Sequence, residues 1–351
     1  MIKTLSFLLV TGAVALVACS STKTSSGGSC ASYVAALQES AHKCRKTAST
    51  AQQEADAAAR LNIVCANALN APGNGITGSA LDACSEQLRA SCDFGGDACE
   101  ALSSAVGTLP DGTACGSDGQ CQGGDCRHGP SGAASSSCGT CAQRVPIGGT
   151  CGSGSAKCVR GSTCLSKAPA SGTCVATTKV AEGAVCYDPT KPSSAPATCG
   201  AGLVCKFAGG GTTAAPVTCT KRGAAGEACT QGGDCLAELA CIKGKCGPPL
   251  PDGAACDNTN DCATGACPKA AKKCVPYEYG AGGAACNSEE KRCARGRCSQ
   301  TTATDGKCVD PIADGSPCTA GGDSASGAPR CDEYATCTNG TCQIFDPATC
   351  K

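Results

Sequence analysis

The chain has 351 residues, no net formal charge and 37 cysteines, but it has no tryptophan and few other aromatic residues. Leu, Ile, Val and Phe together account for 42 of the 351 residues, well below the roughly 20% under which an unsupported chain fails to bury a core. This composition excludes a large hydrophobic domain, and the lack of net positive charge argues against a nucleic-acid partner. The cysteine content is typical of small extracellular modules that are stabilised by disulfides.

The first residues resemble a bacterial secretion signal. Lys3 precedes an apolar run over residues 5–17, which is too short to span a bilayer comfortably. Residues 16–19 read Leu-Val-Ala-Cys and resemble the lipobox of bacterial lipoproteins, which implies a signal peptide at 1–18 and lipidation of Cys19. The alternative is an ordinary cleavage site followed by a chance cysteine.

The residues that follow indicate where the protein would be held. Ser20 comes directly after Cys19, and by similarity to the sorting rule of Gram-negative lipoproteins it implies anchoring in the outer membrane. Residues 19–29 are rich in Ser and Gly and are expected to form a flexible tether. Without Cys19, 36 of the 37 cysteines remain, and an even number is what a complete disulfide framework outside the cytoplasm requires.

Residues 30–108 are expected to form an α-helical module that contains disulfides. Small and apolar residues recur every three or four positions over 30–65, which is the period of one helix face. The sequence APGNG at 71–75 predicts a break, after which Thr77 or Ser79 can cap a second helix.

Geometry restricts the disulfides of this module. Cys30 and Cys44 would lie roughly 21 Å apart on one straight helix at ~1.5 Å per residue, far beyond the ~7 Å between Cα atoms that a disulfide allows. We therefore expect the first three of the six cysteines to bond with the last three, with Cys65 to Cys84 favoured. The six are Cys30, Cys44, Cys65, Cys84, Cys92 and Cys99.

From residue 109 onward the sequence predicts seven four-cysteine sets. Sets one to seven cover 109–146, 147–181, 182–223, 224–250, 251–279, 280–312 and 313–351. A glycine stands three residues before the first cysteine of every set, where a turn with positive φ would explain it; these are Gly112, Gly148, Gly183, Gly226, Gly253, Gly283 and Gly315.

The cysteines of sets one to seven follow in chain order: Cys115, Cys121, Cys126 and Cys138; Cys151, Cys158, Cys164 and Cys174; Cys186, Cys199, Cys205 and Cys219; Cys229, Cys235, Cys241 and Cys246; Cys256, Cys262, Cys267 and Cys274; Cys286, Cys293, Cys298 and Cys308; Cys318, Cys331, Cys337 and Cys342. Two further cysteines remain, and we expect Cys141 to join set one and Cys350 to join set seven.

Each set has too few aliphatic residues for a core of its own, so disulfides must replace it. Four cysteines allow three connectivities, of which we expect first to third and second to fourth. Short units that contact mainly their neighbours are expected to form an extended string. The predicted fold class is therefore small disulfide-rich repeat modules, made of short β-hairpins and loops, preceded by an α-helical disulfide-stapled module.

The spacing argues against metal, redox and hydrolytic sites. Zinc sites usually show paired CxxC knuckles or Cys/His sets, whereas residues 138–141 form a single CxxC outside the helix-start context of a redox pair. His42 and His128 are the two histidines, and no nucleophile motif lies near either, so both are expected on the solvated surface. The segment CDNTNDC at 256–262 lacks the glycine and glutamate of a calcium loop. We expect no catalytic residue, no metal and no cofactor.

Binding surfaces are harder to derive from the sequence. The basic segments at 243–245 and 293–298 are short and are expected to be solvated. The variable loops 127–137, 187–198 and 206–218 are the candidate binding loops, but they offer few of the Trp, Tyr and Arg anchors typical of binding hot spots.

The order of the segments is distinctive: a lipobox, a helical segment with APGNGITGSALDAC (71–84), and GTLPDGTAC (107–115) before the four-cysteine sets. The chain resembles a family of bacterial cysteine-rich lipoproteins whose repeats are compared with the N-terminal cysteine-rich region of Dickkopf. The resemblance transfers no functional residue except Cys19.

We expect a non-catalytic, surface-exposed lipoprotein with a structural, adhesive or protein-interaction role at the cell envelope. Its expected partners are the membrane, through the lipid anchor, and a protein or polysaccharide at the surface. A protease-inhibitor-like or other ligand-binding surface protein is the alternative.

Overall fold

The computed structural model describes residues 26–45, 49–91, 97–128, 138–152, 156–168, 171–188, 197–200, 202–206, 216–263, 265–287, 289–300, 306–319 and 329–351. The expected signal peptide at 1–18, Cys19 and Cys92 lie outside this part of the chain. Within it, the protein consists of four helices followed by short strand pairs, with many disulfides.

The helices are α1 (Ser26–Arg45), α2 (Ala51–Asn70), α3 (Gly78–Ala90) and α4 (Asp97–Ser103). Helix α1 begins inside the segment 19–29, so the expectation of a flexible tether throughout that segment is wrong for its last residues. None of the helices in the described ranges combines the length and the apolar character needed to cross a membrane.

The helical period over 30–65 does not belong to one helix, because Thr50 starts α2 as a new element. The Thr50 hydroxyl accepts a hydrogen bond from the Gln53 N–H (3.2 Å), and the Gln53 side chain accepts one from the Thr50 N–H (2.8 Å). This reciprocal pair is a capping box. The chain therefore turns back, and α2 packs against α1.

The disulfides among the helices differ from those expected. Cys30 on α1 bonds with Cys65 on α2, and Cys84 on α3 bonds with Cys99 on α4, so the expected Cys65–Cys84 bond is wrong. The turn between α1 and α2 is the physical reason, because it brings the two ends of the 30–65 segment together. Cys44 is also disulfide-bonded.

Helix α3 provides most of the apolar contact with α1. Leu88 and Cys84 on α3 are buried against Ala36, with Tyr33 and Leu37 packed around them. The Thr77 hydroxyl caps α3 by accepting from the Ala80 N–H, which is one of the two caps that the sequence predicted.

Short strands occupy the rest of the chain. Three-stranded antiparallel sheets occur in set one (β1 Ala114–Cys115, β2 Gly124–Arg127, β3 Gly139–Gln143), set two (β4 Thr150–Cys151, β5 Ser162–Ala168, β6 Ser171–Ala176), set three (β8 Val185–Tyr187, β10 Leu203–Lys206, β11 Val217–Lys221) and set six (β17 Ala285–Cys286, β19 Arg297–Gln300, β20 Gly306–Val309). Two-stranded antiparallel pairs are β12 (Ala240–Ile242) with β13 (Lys245–Gly247), β14 (Gly265–Ala266) with β15 (Val275–Pro276), and β21 (Ala335–Thr338) with β22 (Thr341–Ile344). Two parallel pairs, β7 (Thr178–Val180) with β9 (Ala197–Cys199) and β16 (Glu278–Gly280) with β18 (Lys291–Cys293), complete the described strands.

One hydrogen-bond pattern recurs in all seven sets. The N–H of the glycine before the first cysteine donates to the carbonyl of a later cysteine at 2.7–2.8 Å, and that cysteine's N–H donates back to the residue after the glycine. The glycines have φ between 80° and 89°, a region that costs an L-residue about 1–2 kcal/mol. The residue three positions before each glycine also forms a parallel bridge with the second cysteine of its set, as Leu109 does with Cys121.

The disulfides follow the order first to third and second to fourth. The pairs of sets two to seven are Cys151–Cys164 and Cys158–Cys174; Cys186–Cys205 and Cys199–Cys219; Cys229–Cys241 and Cys235–Cys246; Cys256–Cys267 and Cys262–Cys274; Cys286–Cys298 and Cys293–Cys308; Cys318–Cys337 and Cys331–Cys342. The disulfide connectivity within each of these six sets therefore matches the one expected from the sequence.

Set one departs from its expected membership. Cys115 bonds with Cys126, but Cys121 bonds with Cys141 rather than Cys138. The fourth cysteine of this set is therefore Cys141, and the reason is its backbone: the Cys141 carbonyl accepts from Gly112 and its N–H donates to Thr113.

Cys138 bonds with Cys350, 212 residues further along the chain, so the expectation that Cys350 joins set seven is wrong. An open string of sets is also contradicted, because this bond joins set one to the last residues of the chain. The helices contact several sets as well: Lys179 forms an ion pair with Glu100 on α4, and Asn67 on α2 donates to the Phe345 carbonyl.

Candidate binding cavities beside helix α2

The cysteines form the interiors of the sets. In sets one to six the buried cluster consists mostly of cysteines. Partly buried aliphatic residues pack beside it in sets one to five. Groups such as Cys229, Cys235 and Cys246 place their sulfur atoms within 4.8 Å of one another. All three are nevertheless in disulfides, and zinc binds the thiolate form of cysteine. The sulfur clusters therefore serve as cores.

The CxxC segment does not form a dithiol pair. Cys138 bonds with Cys350 and Cys141 bonds with Cys121, so the two cysteines of the segment serve different parts of the molecule. A thioredoxin-like exchange requires both sulfurs to react with each other. The segment is a structural junction between set one and the last residues of the chain.

The other residues singled out by sequence also have structural surroundings. His42 is exposed, as expected, and its Nε2 lies 2.9 Å from Glu54 Oε2. His128 is half-buried rather than on the solvated surface. Asp261 Oδ2 accepts from the N–H groups of Asp257 and Asn258 at 2.9 and 3.1 Å, so this carboxylate holds a turn.

The residue before the second cysteine has the same role in three sets. Asp234 and Asp261 are buried, as is Gln120 at the matching position of set one. Asp234 Oδ2 accepts from the Thr230 N–H and hydroxyl and from the Gln231 N–H. Burial acts to raise the pKa of Asp234, but these hydrogen bonds and the Lys206 charge together lower it below its usual value.

Two adjoining cavities lie between α2 and sets six and seven. The smaller has a volume of about 350 Å³ and the larger about 670 Å³, and both are lined by Gln53, Arg297 and Glu333. Gln53 on α2 donates to the Cys293 carbonyl at 3.3 Å, which holds the helix against β18. The cavities are thus formed by elements roughly 240 residues apart in the chain.

Arg60 on α2 holds the helix against set seven. Its guanidinium forms two hydrogen bonds to Asp314, both 2.8 Å, and also donates to the Glu333 carbonyl. The hydrogen bond with Asp314 raises the pKa of Arg60, despite partial burial. Asp332 lies 3.7 Å from Arg60 and 2.5 Å from Arg295, so one carboxylate links α2 with both sets.

Two of the five tyrosines of the chain lie beside the larger cavity. The Tyr277 and Tyr279 rings meet edge to face with centroids 6.4 Å apart. The Arg292 guanidinium lies 3.7 Å from the centre of the Tyr277 ring and also donates to the Tyr277 hydroxyl. Burial raises the pKa of Tyr279, against the effect of the Arg292 charge. Tyr279 and Arg292 both line the larger cavity.

The sequence does not predict this region. The basic segment 293–298, expected to be solvated, lines the cavity between α2 and set seven with most of its residues. One feature of the sequence could have pointed to it: Tyr277 and Tyr279 lie close in sequence to the cations of 291–297, in a chain with few aromatic residues. Of the candidate binding loops, most of 127–137, 187–198 and 206–218 lies outside the described residues.

Comparisons of the chain with known protein families, with curated proteins and with solved structures give no match.

Proposed function

We propose that this protein is a non-catalytic lipoprotein of the outer membrane that acts as a structural, adhesive or interaction module at the cell surface. The observation that carries the proposal is the state of the sulfurs: every cysteine in the described part of the chain is disulfide-bonded. Disulfides persist in oxidising compartments and are rare in the cytosol. An exported location is the simplest setting for such a chain.

The proposed architecture is a helical module followed by seven repeats related to those of Dickkopf-like bacterial lipoproteins. Its support is the recurrence of one backbone pattern, in which a glycine such as Gly253 donates to the carbonyl of a cysteine such as Cys274. The same pattern in seven sets of different loop length favours descent from one repeated unit. This proposal gives the chain a scaffold without assigning it an activity.

Anchoring through Cys19 is part of the same proposal. Its support is the lipobox at 16–19 and the even number of cysteines that remains without Cys19. A bacterial lipoprotein carries several acyl chains on this residue, and more than one chain is needed for stable anchoring.

A binding role is favoured over catalysis by how the charged groups are used. Around α2, Arg60, Asp314, Asp332 and Arg295 are engaged with one another in ion pairs. Catalysis needs a nucleophile beside a base, or an acid and base whose pKa values are shifted apart. These four groups instead fix one element against another.

Cell fractionation tests the localisation. The wild-type protein should sediment with outer membranes, and Cys19→Ala should be found in the soluble fraction; a variant that stays with membranes at the wild-type level would exclude lipid anchoring through this residue. Surface crosslinking and pull-down from intact cells test the interaction role, and we expect them to recover an envelope polysaccharide or a surface protein. Capture of a protease through one of the variable loops would favour the inhibitor alternative.

A further inference from the structure

The larger cavity beside α2 combines cations, an aromatic ring and a fixed amide. We propose that it binds an acidic oligosaccharide, meaning a short glycan that bears uronic-acid carboxylates. The proposal deepens the proposed surface-binding function and rests on it. The cavity, of about 670 Å³, falls within the range typical of small-molecule sites.

The charge of the lining favours an anionic ligand. Lys291, Arg292 and Arg297 line the cavity together with two carboxylates, Glu54 and Glu333. Of the two, Glu54 accepts from the Ser49 hydroxyl at 2.6 Å and lies 2.9 Å from His42 Nε2, and the three cations outnumber the two carboxylates. No carboxylate of the described residues lies within 4.0 Å of Lys291 Nζ. A net positive charge therefore remains for the ligand.

The shape of the polar groups favours a carboxylate. Arginine presents a planar fork that matches the two oxygens of a carboxylate, and the cavity contains two arginines, Arg292 and Arg297. Arg292 is held in place by Tyr277, through its ring face and its hydroxyl. A positioned guanidinium loses less freedom on binding than a flexible one.

The remaining groups favour a sugar over a simple anion. Tyr279 supplies an apolar ring with a polar hydroxyl, which suits a ligand with an apolar face and hydroxyl edges. Asn287 is fixed because its Oδ1 accepts from three successive N–H groups, those of residues 289, 290 and 291. Its amino group has no hydrogen-bond partner among the described residues and can donate to a sugar hydroxyl.

The second cavity extends the site. It has a volume of about 350 Å³ and shares Gln53 and Gly296 with the larger one. A ligand that occupies both would run along α2, which suits an oligomer rather than a single sugar.

Calorimetric titration of the purified, oxidised mature protein tests the proposal, with tetragalacturonate as the probe. We expect saturable binding that weakens as salt increases, because the cations contribute directly. Lys291→Ala and Arg297→Ala should each weaken the affinity at least tenfold, whereas Lys307→Ala should leave it within twofold. Lys307 is the matched control because it is an exposed cation of the same set outside both cavities.

Two further arms define the ligand class. Neutral galactotetraose should bind at least tenfold more weakly than tetragalacturonate, and tetraglutamate should do the same. Tyr279→Phe should retain binding within threefold and Tyr279→Leu should lose at least tenfold, with unchanged disulfide mass and circular dichroism. Equal binding of the neutral sugar or of tetraglutamate, insensitivity to the cavity variants, or no binding of tetragalacturonate would overturn the proposal. Fractionation and surface crosslinking are independent of this result, so the broader function would stand or fall separately.

Discussion

Cys138 and Cys350 are joined by a disulfide although 212 residues separate them. Cys138 is solvent-exposed and Cys350 is half-buried, whereas every other described disulfide has at least one buried cysteine or two half-buried ones. Because this bond joins set one to the end of the chain, its loss would release the end without opening the interior of any set.

Partial reduction should therefore break Cys138–Cys350 first. Access of the attacking thiolate limits thiol–disulfide exchange, and Cys138 is the exposed cysteine of the described part of the chain. Brief treatment with a dithiol, followed by alkylation and peptide mass spectrometry, should find label on these two cysteines before any others. The Cys235–Cys246 pair, in which both cysteines are buried, is the internal control, and its earlier labelling would contradict the prediction.

The pairing within sets was predictable from sequence, but the choice between Cys138 and Cys141 was not. Loop closure depends only weakly on length, so two candidates three residues apart cannot be distinguished by spacing. What selects Cys141 is its backbone, which pairs with Gly112 and Thr113. The number of residues between this glycine and the fourth cysteine depends on loop length, and it varies among the sets.

The helix break at Thr50 was readable but was hidden by the pattern around it. The apolar spacing continues in phase across the turn, so the period over 30–65 suggested one face of one helix. Thr50 followed by Gln53 is a capping-box signature, and it would have predicted the turn and the Cys30–Cys65 bond. The cavities beside α2 were beyond prediction, because Gln53 and Cys293 meet only through the tertiary fold.

Replacement of Gly253, the glycine three residues before the first cysteine of set five, tests the role of positive φ. Gly253 has φ 82° and open space around its Cα, so Gly253→Ala changes backbone strain without a clash. We expect a loss of about 1–2 kcal/mol, measured as faster hydrogen exchange of the Cys274 N–H. Gly232→Ala is the matched control, since Gly232 has equal space without positive φ. Hydrogen exchange of the amides of set four, where Gly232 lies, should stay unchanged or slow slightly in this variant. Equal effects of the two changes would rule out the strain explanation.

The turn of set four should lose stability in acid through Asp234. Its pKa is lowered in the folded protein, so its contribution is fully present above the unfolded value near 4 and is lost as pH falls through the folded pKa. Hydrogen exchange at Thr230 and Gln231 should therefore accelerate below about pH 4 relative to the intrinsic rate. Asp234→Asn should show faster exchange of these amides already at neutral pH, which corresponds to a loss of about 1–3 kcal/mol in the free energy of local opening. The variant should show little further acid dependence. Asp257→Asn, at an exposed aspartate of set five, should leave both profiles unchanged.

The attachment of α2 to set seven should depend more on Arg60 than on Asp314. Arg60 donates to the Asp314 carboxylate and to the Glu333 carbonyl, and it lies near Asp332, whereas Asp314 is 43% exposed and serves one partner. Asp314→Ala should therefore cost less than about 1 kcal/mol, because solvent screens its ion pair. Arg60→Ala should cost about 2 kcal/mol, because it removes the hydrogen bonds to Asp314 and to the Glu333 carbonyl together with the charge near Asp332.

A double-mutant cycle separates these contributions. Thermal unfolding of Arg60→Ala, Asp314→Ala and the double variant should give a coupling of about 0.5–1 kcal/mol, leaving more than half of the Arg60 effect outside this pair. Lys307→Ala controls for the loss of a cation and should change the stability by less than about 0.5 kcal/mol. If Asp314→Ala and Arg60→Ala were equally costly and fully coupled, the ion pair alone would hold the helix, and the carbonyl of Glu333 would have no part in it.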